Sequence, residues 1–361
     1  TGGCGAGASG AAEGSASAGG GVWPPAGLDS RIYTFDLTFD AAATDDEVFS
    51  AMREELSAAI SGEAVCILAF GATGSGKTHT VKNIAERAAK ELGCKSREFQ
   101  NRGMRLEITV QLLEIYNDQV RDLLAEGLGT GEPPTLRMSM STSSNSLQGA
   151  VSRDITSDSC DGVAKSLQEI LKAGQAQRAT SATAVHGRSS RSHLVMTLSL
   201  GTREEATGAL VRSVGKFSLV DLAGSERLKR SEAVGERLRE ATHINKSLSA
   251  LADVVTARER KVGHVPYRNS KLTYLLQDSL GGQQGCRTVF IIAVPPSRAA
   301  VCETLNSLQF SQRLSALAEP MKVSAAAQTH MSCGPGSPRS AAASPVPQER
   351  GAGFSLPGAD R

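Results

Sequence analysis

Neither sign of charge dominates this sequence. Its 39 lysines and arginines face 37 aspartates and glutamates, for a formal net charge of +2. No global field therefore recruits nucleic acid or an anionic membrane, and any basic partner surface has to be local. No apolar run approaches the roughly 20 residues that cross a bilayer, and the opening residues lack the charged-then-apolar layout of a secretory signal. The seven cysteines (Cys4, Cys66, Cys94, Cys160, Cys286, Cys302 and Cys333) include no CxxC pair. Their scatter argues against a zinc site or disulfide scaffold and fits a reducing interior. No heptad run encodes a coiled coil, and nothing repeats at solenoid periods.

Hydrophobic residues make up 40% of the 361 positions, enough for a substantial core. They are unevenly spread. Residues 1–29 are rich in Gly, Ala and Ser, and residues 321–361 in Pro, Ser and Ala; both read as disordered tails with too little apolar side chain to offset the entropy of ordering. The body spans residues 30–320.

Within the body, strand and helix patterns alternate. Ala64 to Phe70 is a continuous apolar run, as in a strand buried on both faces. Val81, Ile84, Ala88 and Leu92 share one helical face, with Gly93 placed to end the helix. Leu106, Ile108, Val110 and Leu112 alternate, as do Leu194, Met196, Leu198 and Leu200. Val163, Leu167, Ile170 and Leu171 form a helical stripe ended by Gly174. Phe217 to Leu222 and Val289 to Val294 read as further buried strands, and Ile244, Leu248, Leu251 and Val255 as a long helix. This alternation predicts an α/β fold whose sheet is covered by helices on both faces. Leu128 to Leu147 and Thr202 to Gly208 read as surface loops or partner-binding loops.

Residues 71–78, Gly71-Ala72-Thr73-Gly74-Ser75-Gly76-Lys77-Thr78, satisfy GxxxxGK[ST] and lie between a buried strand and a helix start. Glycines let successive N–H groups point inward at phosphate oxygens, and the helix N-terminus adds partial positive charge. Lys77 can reach the β and γ phosphates, and the Thr78 hydroxyl can ligate Mg²⁺. Asn245-Lys246-Ser247-Leu248 lacks the Asp of a guanine-reading element, which favours ATP. Asp221-Leu222-Ala223-Gly224 follows a buried strand; Asp221 can hold a water on Mg²⁺, and Gly224 can turn its N–H to a γ-phosphate. Ser189-Ser190-Arg191-Ser192-His193 offers hydroxyls for metal or water, and Arg191 a fixed fork for a carboxylate.

Together these segments resemble the kinesin motor domain. GATGSGKTHT (71–80), SSRSH (189–193) and VDLAGSER (220–227) are similar to its three nucleotide motifs. HVPYRNSKLTYLLQDSLGG (264–282) resembles its microtubule-contacting loop and helix, and LLEIYNDQVRDLL (112–124) and ETLNSLQFSQR (303–313) resemble further core segments. Tyr274 looks more like the C-terminal-motor, minus-end-directed subfamily than the plus-end group. The resemblance implies a P-loop NTPase fold with a mostly parallel or mixed central sheet. It also implies a microtubule-stimulated ATPase with ATP and Mg²⁺ as ligands, associated with cytoplasmic microtubules. Gly71 to Thr78 would bind the phosphates, and His79 would stack on adenine. Thr78, Ser190 and Asp221 would attend the metal. Ser189 and Ser190 would close over the γ-phosphate, Gly224 would form the second switch with Asp221, and Arg191 would pair with Glu226, which could accept a proton from water. Arg258, Arg260, Lys261, His264, Arg268 and Lys271 would face tubulin; from Arg258 to Lys271 there are five basic residues and one acid, Glu259. The competing reading is a microtubule-binding module that holds nucleotide without turnover.

The sequence also departs from the family. No RxRP-bearing strand precedes Arg31, the helix after Thr80 continues without the family's long insertion, Ala72 replaces a Gln, and Ala184 and His186 replace first-switch Asn residues.

Overall fold

The computed structural model describes residues 32–125, 137–140, 145–155, 159–180, 190–226, 236–280 and 286–315. Both expected tails, Ser189, Ala184 and His186 lie outside these residues.

In chain order the elements are α1 (Asp45–Ile60), β1 (Ala64–Phe70), α2 (Lys77–Gln100), β2 (Met104–Tyr116), β3 (Gln119–Asp122), β4 (Arg137–Met140), β5 (Asn145–Gln148), β6 (Arg153–Ile155), α3 (Cys160–Thr180), β7 (His193–Glu204), β8 (Gly215–Asp221), α4 (Glu236–Glu259), α5 (Lys271–Leu275), α6 (Gln277–Leu280), β9 (Cys286–Ile292) and α7 (Val301–Ser315). The main sheet runs β3-β2-β7-β8-β1-β9, with β6 also on β2. It is mixed. β8, β1 and β9 are parallel, whereas β7 is antiparallel to both β8 and β2, and β3 and β6 are antiparallel to β2.

The period of two in β1 divides two cores. Val65, Ile67 and Ala69 join α1, α2 and α3 on one face; Cys66, Leu68 and Phe70 join α4, α5 and α7 on the other. Helices thus cover both faces, as the continuous apolar run requires. The Phe70 ring stacks on Phe310 of α7, centroids 4.2 Å apart. Among the described residues no helix is long and apolar enough to cross a membrane.

Three local expectations are corrected. Helix α2 does not stop at Gly93, which is buried within it, but continues to Gln100; the chain turns at Gly103, whose φ is +68°. Helix α3 likewise runs through Gly174. There the missing side chain serves packing, because a Cβ would collide with Leu112 of β2. The polar stretch from Thr202 begins as strand: β7 extends to Glu204 because the 13-residue β2 supplies partners as far as Met104. The continuity of α2 beyond Thr80 agrees with the absence of the insertion.

Gly215 opens β8 directly beneath the end of α1, where a Cβ would overlap the Ala59 carbonyl. Backbone cannot yield as a side-chain tip can. Gly215→Ala is expected to cost about 1–3 kcal/mol by overpacking, read as a lowered midpoint in thermal or denaturant unfolding.

Candidate active site

Parallel pairing places the C-terminal ends of β1, β8 and β9 on one rim, and the motif loops leave from it. After β1 the chain curls through Gly71, Gly74 and Gly76, at φ +151°, +78° and +101°. A Cβ on Gly74 or Gly76 would meet nothing within 4 Å, so these two glycines supply backbone conformation and bound an open cradle. Gly76 N-caps α2, and the helix N-terminus faces the cradle.

Lys77 is buried, and its ammonium donates to the Ala72 carbonyl at 2.7 Å. Burial pushes the Lys77 ammonium below its usual range, opposed by the charges of Asp221 and Glu226. The Thr78 hydroxyl donates to Asp221 Oδ2 at 2.7 Å, joining the P-loop to the end of β8. Burial pushes the Asp221 carboxyl upward, with Thr78, Arg178 and Lys77 opposing. The other oxygen, Oδ1, is buried without a hydrogen-bond partner. An orphan carboxylate oxygen beside a threonine hydroxyl at a P-loop helix start is hard-donor chemistry suited to Mg²⁺, which needs few protein ligands. Among the described residues no group of three or more His, Cys, Asp or Glu side chains could hold a metal.

The segment after β8 lies against the phosphate loop. Gly224 N–H donates to Ser190 O at 2.8 Å, and Ser225 N–H to Gly71 O at 3.0 Å. This draws Glu226 onto the P-loop, where its carboxylate accepts from the Thr73 N–H at 2.8 Å and from the Thr73 hydroxyl. Both Glu226 oxygens are thus engaged by Thr73, and the Arg191–Glu226 pair is not made in this arrangement. His79 is exposed on α2 beside Asn83 and Asp45.

Sequence reading missed a buried cluster beside the start of β7. Ser192 Oγ donates to Glu114 Oε1 at 2.7 Å; Arg178 donates to Ser192 Oγ at 2.9 Å and to Glu114 Oε1 at 3.3 Å. The cluster ties the start of β7 to β2 and α3. The one sequence signal was three polar residues at positions that the apolar patterns would otherwise fill.

The basic residues gather around the end of α4 and the start of α5. Arg258 closes α4 and turns its guanidinium to the Leu280 carbonyl. Arg260, Lys261 and His264 follow in an exposed connection, and Arg268 sits in a single 3₁₀ turn. The Lys271 N–H donates to Asp118 Oδ1 at 2.7 Å, and Lys246 of α4 lies 3.7 Å from the same carboxylate.

Comparison with known proteins agrees with this geometry. The kinesin motor domain family matches residues 26–317. Kinesin-like protein KIN-14F of Oryza sativa subsp. japonica is 42% identical over 295 residues, covering 79% of this chain and 28% of the relative. KIN-14I of Arabidopsis thaliana is 41% identical over 299 residues, covering 80% and 29%. The chain therefore spans under a third of these relatives' length. Among solved structures, the motor domain of the Kar3-like kinesin from Ashbya gossypii has a TM-score of 0.63 at 33% identity, covering 78% of this chain and 84% of that one. The Kar3 motor domain of Saccharomyces cerevisiae has a TM-score of 0.65 at 35% identity, covering 78% and 84%. A P-loop on a mixed sheet, a DLAG segment that meets it and in turn meets Ser190, and this breadth of similarity establish that the chain belongs to the kinesin motor-domain family, alongside KIN-14 and Kar3-like members.

Proposed function

We propose that this motor domain hydrolyses Mg-ATP, that microtubules accelerate the turnover, and that the cycle drives movement or force along the filament. The observation that carries the reading is the convergence of three sequence-distant motifs: Thr78 bonds Asp221, and Gly224 bonds Ser190. In this assignment Gly71, Ala72, Thr73, Gly74, Ser75 and Gly76 cradle the phosphates with backbone N–H groups. Lys77 leaves the Ala72 carbonyl for the β and γ phosphates. Thr78, Ser190 and Asp221 hold the metal or its waters. Gly224 transfers its N–H from Ser190 to the γ-phosphate, Ser189 and Ser190 position the attacking water, and Arg191 receives Glu226 once that side chain leaves Thr73. His79 lies along the adenine. A magnesium ion supplies charge neutralisation at the phosphate oxygens.

The rival, a nucleotide-holding module without turnover, is disfavoured by Lys77, Asp221 and Glu226 standing around one cradle. Steady-state phosphate release with and without microtubules tests the choice: stimulated turnover is expected, and a flat, near-zero rate would favour the rival.

The filament contact is assigned to Arg258, Arg260, Lys261, His264, Arg268 and Lys271, which would place the protein on cytoplasmic microtubules. Neutralising Arg260, Lys261, Arg268 and Lys271 together is expected to weaken co-sedimentation with microtubules while sparing basal ATPase. The wild-type contact should fade with salt, since the screening length falls from ~10 Å at 0.1 M to ~3 Å at 1 M. Unaltered binding at low salt would show the patch to be merely solvated.

A further inference from the structure

We propose that His193 is a positioning residue that couples the phosphate-sensing backbone to helix α4, acting as a strut of one fixed tautomer. The inference rests on the microtubule-stimulated ATPase reading and assigns a role that the three nucleotide motifs leave open.

His193 is the first residue of β7 and is almost wholly buried. Its Nδ1 lies 3.0 Å from Ala223 N, which can only donate, so Nδ1 is the acceptor and carries no proton. In the neutral ring Nε2 therefore bears the hydrogen, and it donates to Ser247 Oγ at 2.8 Å. Ser247 passes its own hydrogen to the Ile244 carbonyl at 2.8 Å. Every donor in this chain has one direction, so a flipped or protonated ring would break it. Burial, followed by the charge of Arg178, depresses the His193 pKa to about 3 and keeps the ring neutral.

A buried histidine is ordinarily just satisfied by its surroundings. This one differs in where its partners lie. Ala223 belongs to the DLAG segment, and its neighbour Gly224 donates to Ser190 O. Two consecutive N–H groups of the second switch are thus held by residues 190 and 193 of the first. Ser247 lies midway along α4, whose end leads into the basic residues Arg258, Arg260 and Lys261. Ser192, pointing the other way, is clamped by Glu114 and Arg178. The imidazole is therefore mounted on a fixed base. When Gly224 leaves Ser190, the shift of the adjacent Ala223 amide is transmitted through the ring to Ser247. This link joins the switch to α4 by side chains rather than through the connection from 227 to 235.

Separate substitutions address the two ends of the strut. Asn at 193 keeps an acceptor near the Nδ1 position but cannot reach Ser247; Gln keeps a donor near Nε2 but offers Ala223 no acceptor. The experiment measures basal and microtubule-stimulated phosphate release, with thermal melts, for wild type, Ser247→Ala, Ser247→Thr, His193→Asn, His193→Gln and the Ser247→Ala/His193→Asn double variant. Ser247→Ala should leave the basal rate within about twofold and lower the stimulated maximum by about tenfold, within the usual range of coupling between sites. Ser247→Thr, which retains the hydroxyl, should restore stimulation. His193→Asn should reproduce Ser247→Ala, and the double variant should be no worse than either single, because both cut one link. His193→Gln should lower the basal rate as well, since it frees the Ala223 amide. Basal and stimulated rates falling in parallel with the melting temperature, additive losses in the double variant, or full stimulation in Ser247→Ala would each overturn the strut. Wild type without stimulation would overturn the ATPase reading, and the strut with it.

Discussion

Lys77→Ala is expected to abolish measurable ATP turnover while the far-UV circular dichroism and the melting temperature stay close to wild type. Alanine is a good helix former at the first position of α2, so the backbone should be undisturbed. The site loses much more. Lys77 is a buried cation on which the charges of Asp221 and Glu226 both act. Removing it takes away the ammonium that offsets both carboxylates before an incoming polyphosphate, and leaves Arg178 as the remaining cation acting on Asp221. A charge-assisted hydrogen bond contributes about 1.5–3 kcal/mol, and loss of a donor that meets charge developing in the transition state typically costs 10²–10³-fold in rate. Phosphate release measured with and without microtubules checks this, and unchanged turnover would sink the ATPase reading.

For Glu226→Ala the expectation is a split between binding and chemistry. ATP should still bind, because Lys77, Thr78 and the loop amides remain. Hydrolysis should fall about 10²–10⁴-fold, the usual contribution of a positioned acid or base, and stimulation by microtubules should fall with it. The Thr73 contact gives this variant a second consequence. In this structure the carboxylate sits on the Thr73 N–H, where it competes with an anionic ligand for the loop. Alanine removes that competitor, so nucleotide affinity should hold or improve even as turnover collapses. Equilibrium titration with a fluorescent nucleotide, beside single-turnover hydrolysis, separates the two effects. The exchanged pair Arg191→Glu with Glu226→Arg should recover closure without recovering proton transfer. If Glu226→Ala turned over at the wild-type rate, the assignment of Glu226 would fail while the motor reading stood.

The phosphate loop was legible because its chemistry imposes a local pattern: glycines, a lysine and a hydroxyl at fixed spacing between strand and helix. The long apolar strand at Ala64–Phe70 was legible for a similar reason, since burial on both faces removes alternation. What sequence hid was tertiary. Gly93 and Gly174 look like helix stops by local rules, yet Gly174 is small because Leu112 of β2 presses against α3. The extension of β7 to Glu204 came from the length of its neighbour rather than from the polar residues at 202–204. The Glu114–Arg178–Ser192 cluster and the Thr73–Glu226 contact join residues far apart in the chain, and no periodicity reports such meetings. The basic run was visible as charge, but not that Arg258 turns inward to the Leu280 carbonyl.

The parallel trio at one end of the sheet, with β9 as its edge strand, also bears on how the molecule is made. β1, which leads into the phosphate loop, pairs with residues 216–221 on one side and 286–292 on the other. Such long-range closure is entropically slow, and chains dominated by it fold more slowly than helical bundles. During synthesis β1 emerges long before either neighbour, with two bare edges and a seven-residue apolar stretch that invites mispairing. The rim that holds Gly71, Asp221 and the end of β9 exists only after all three strands have met. A site that binds phosphate at this rim therefore requires strands from three distant parts of the chain to be paired.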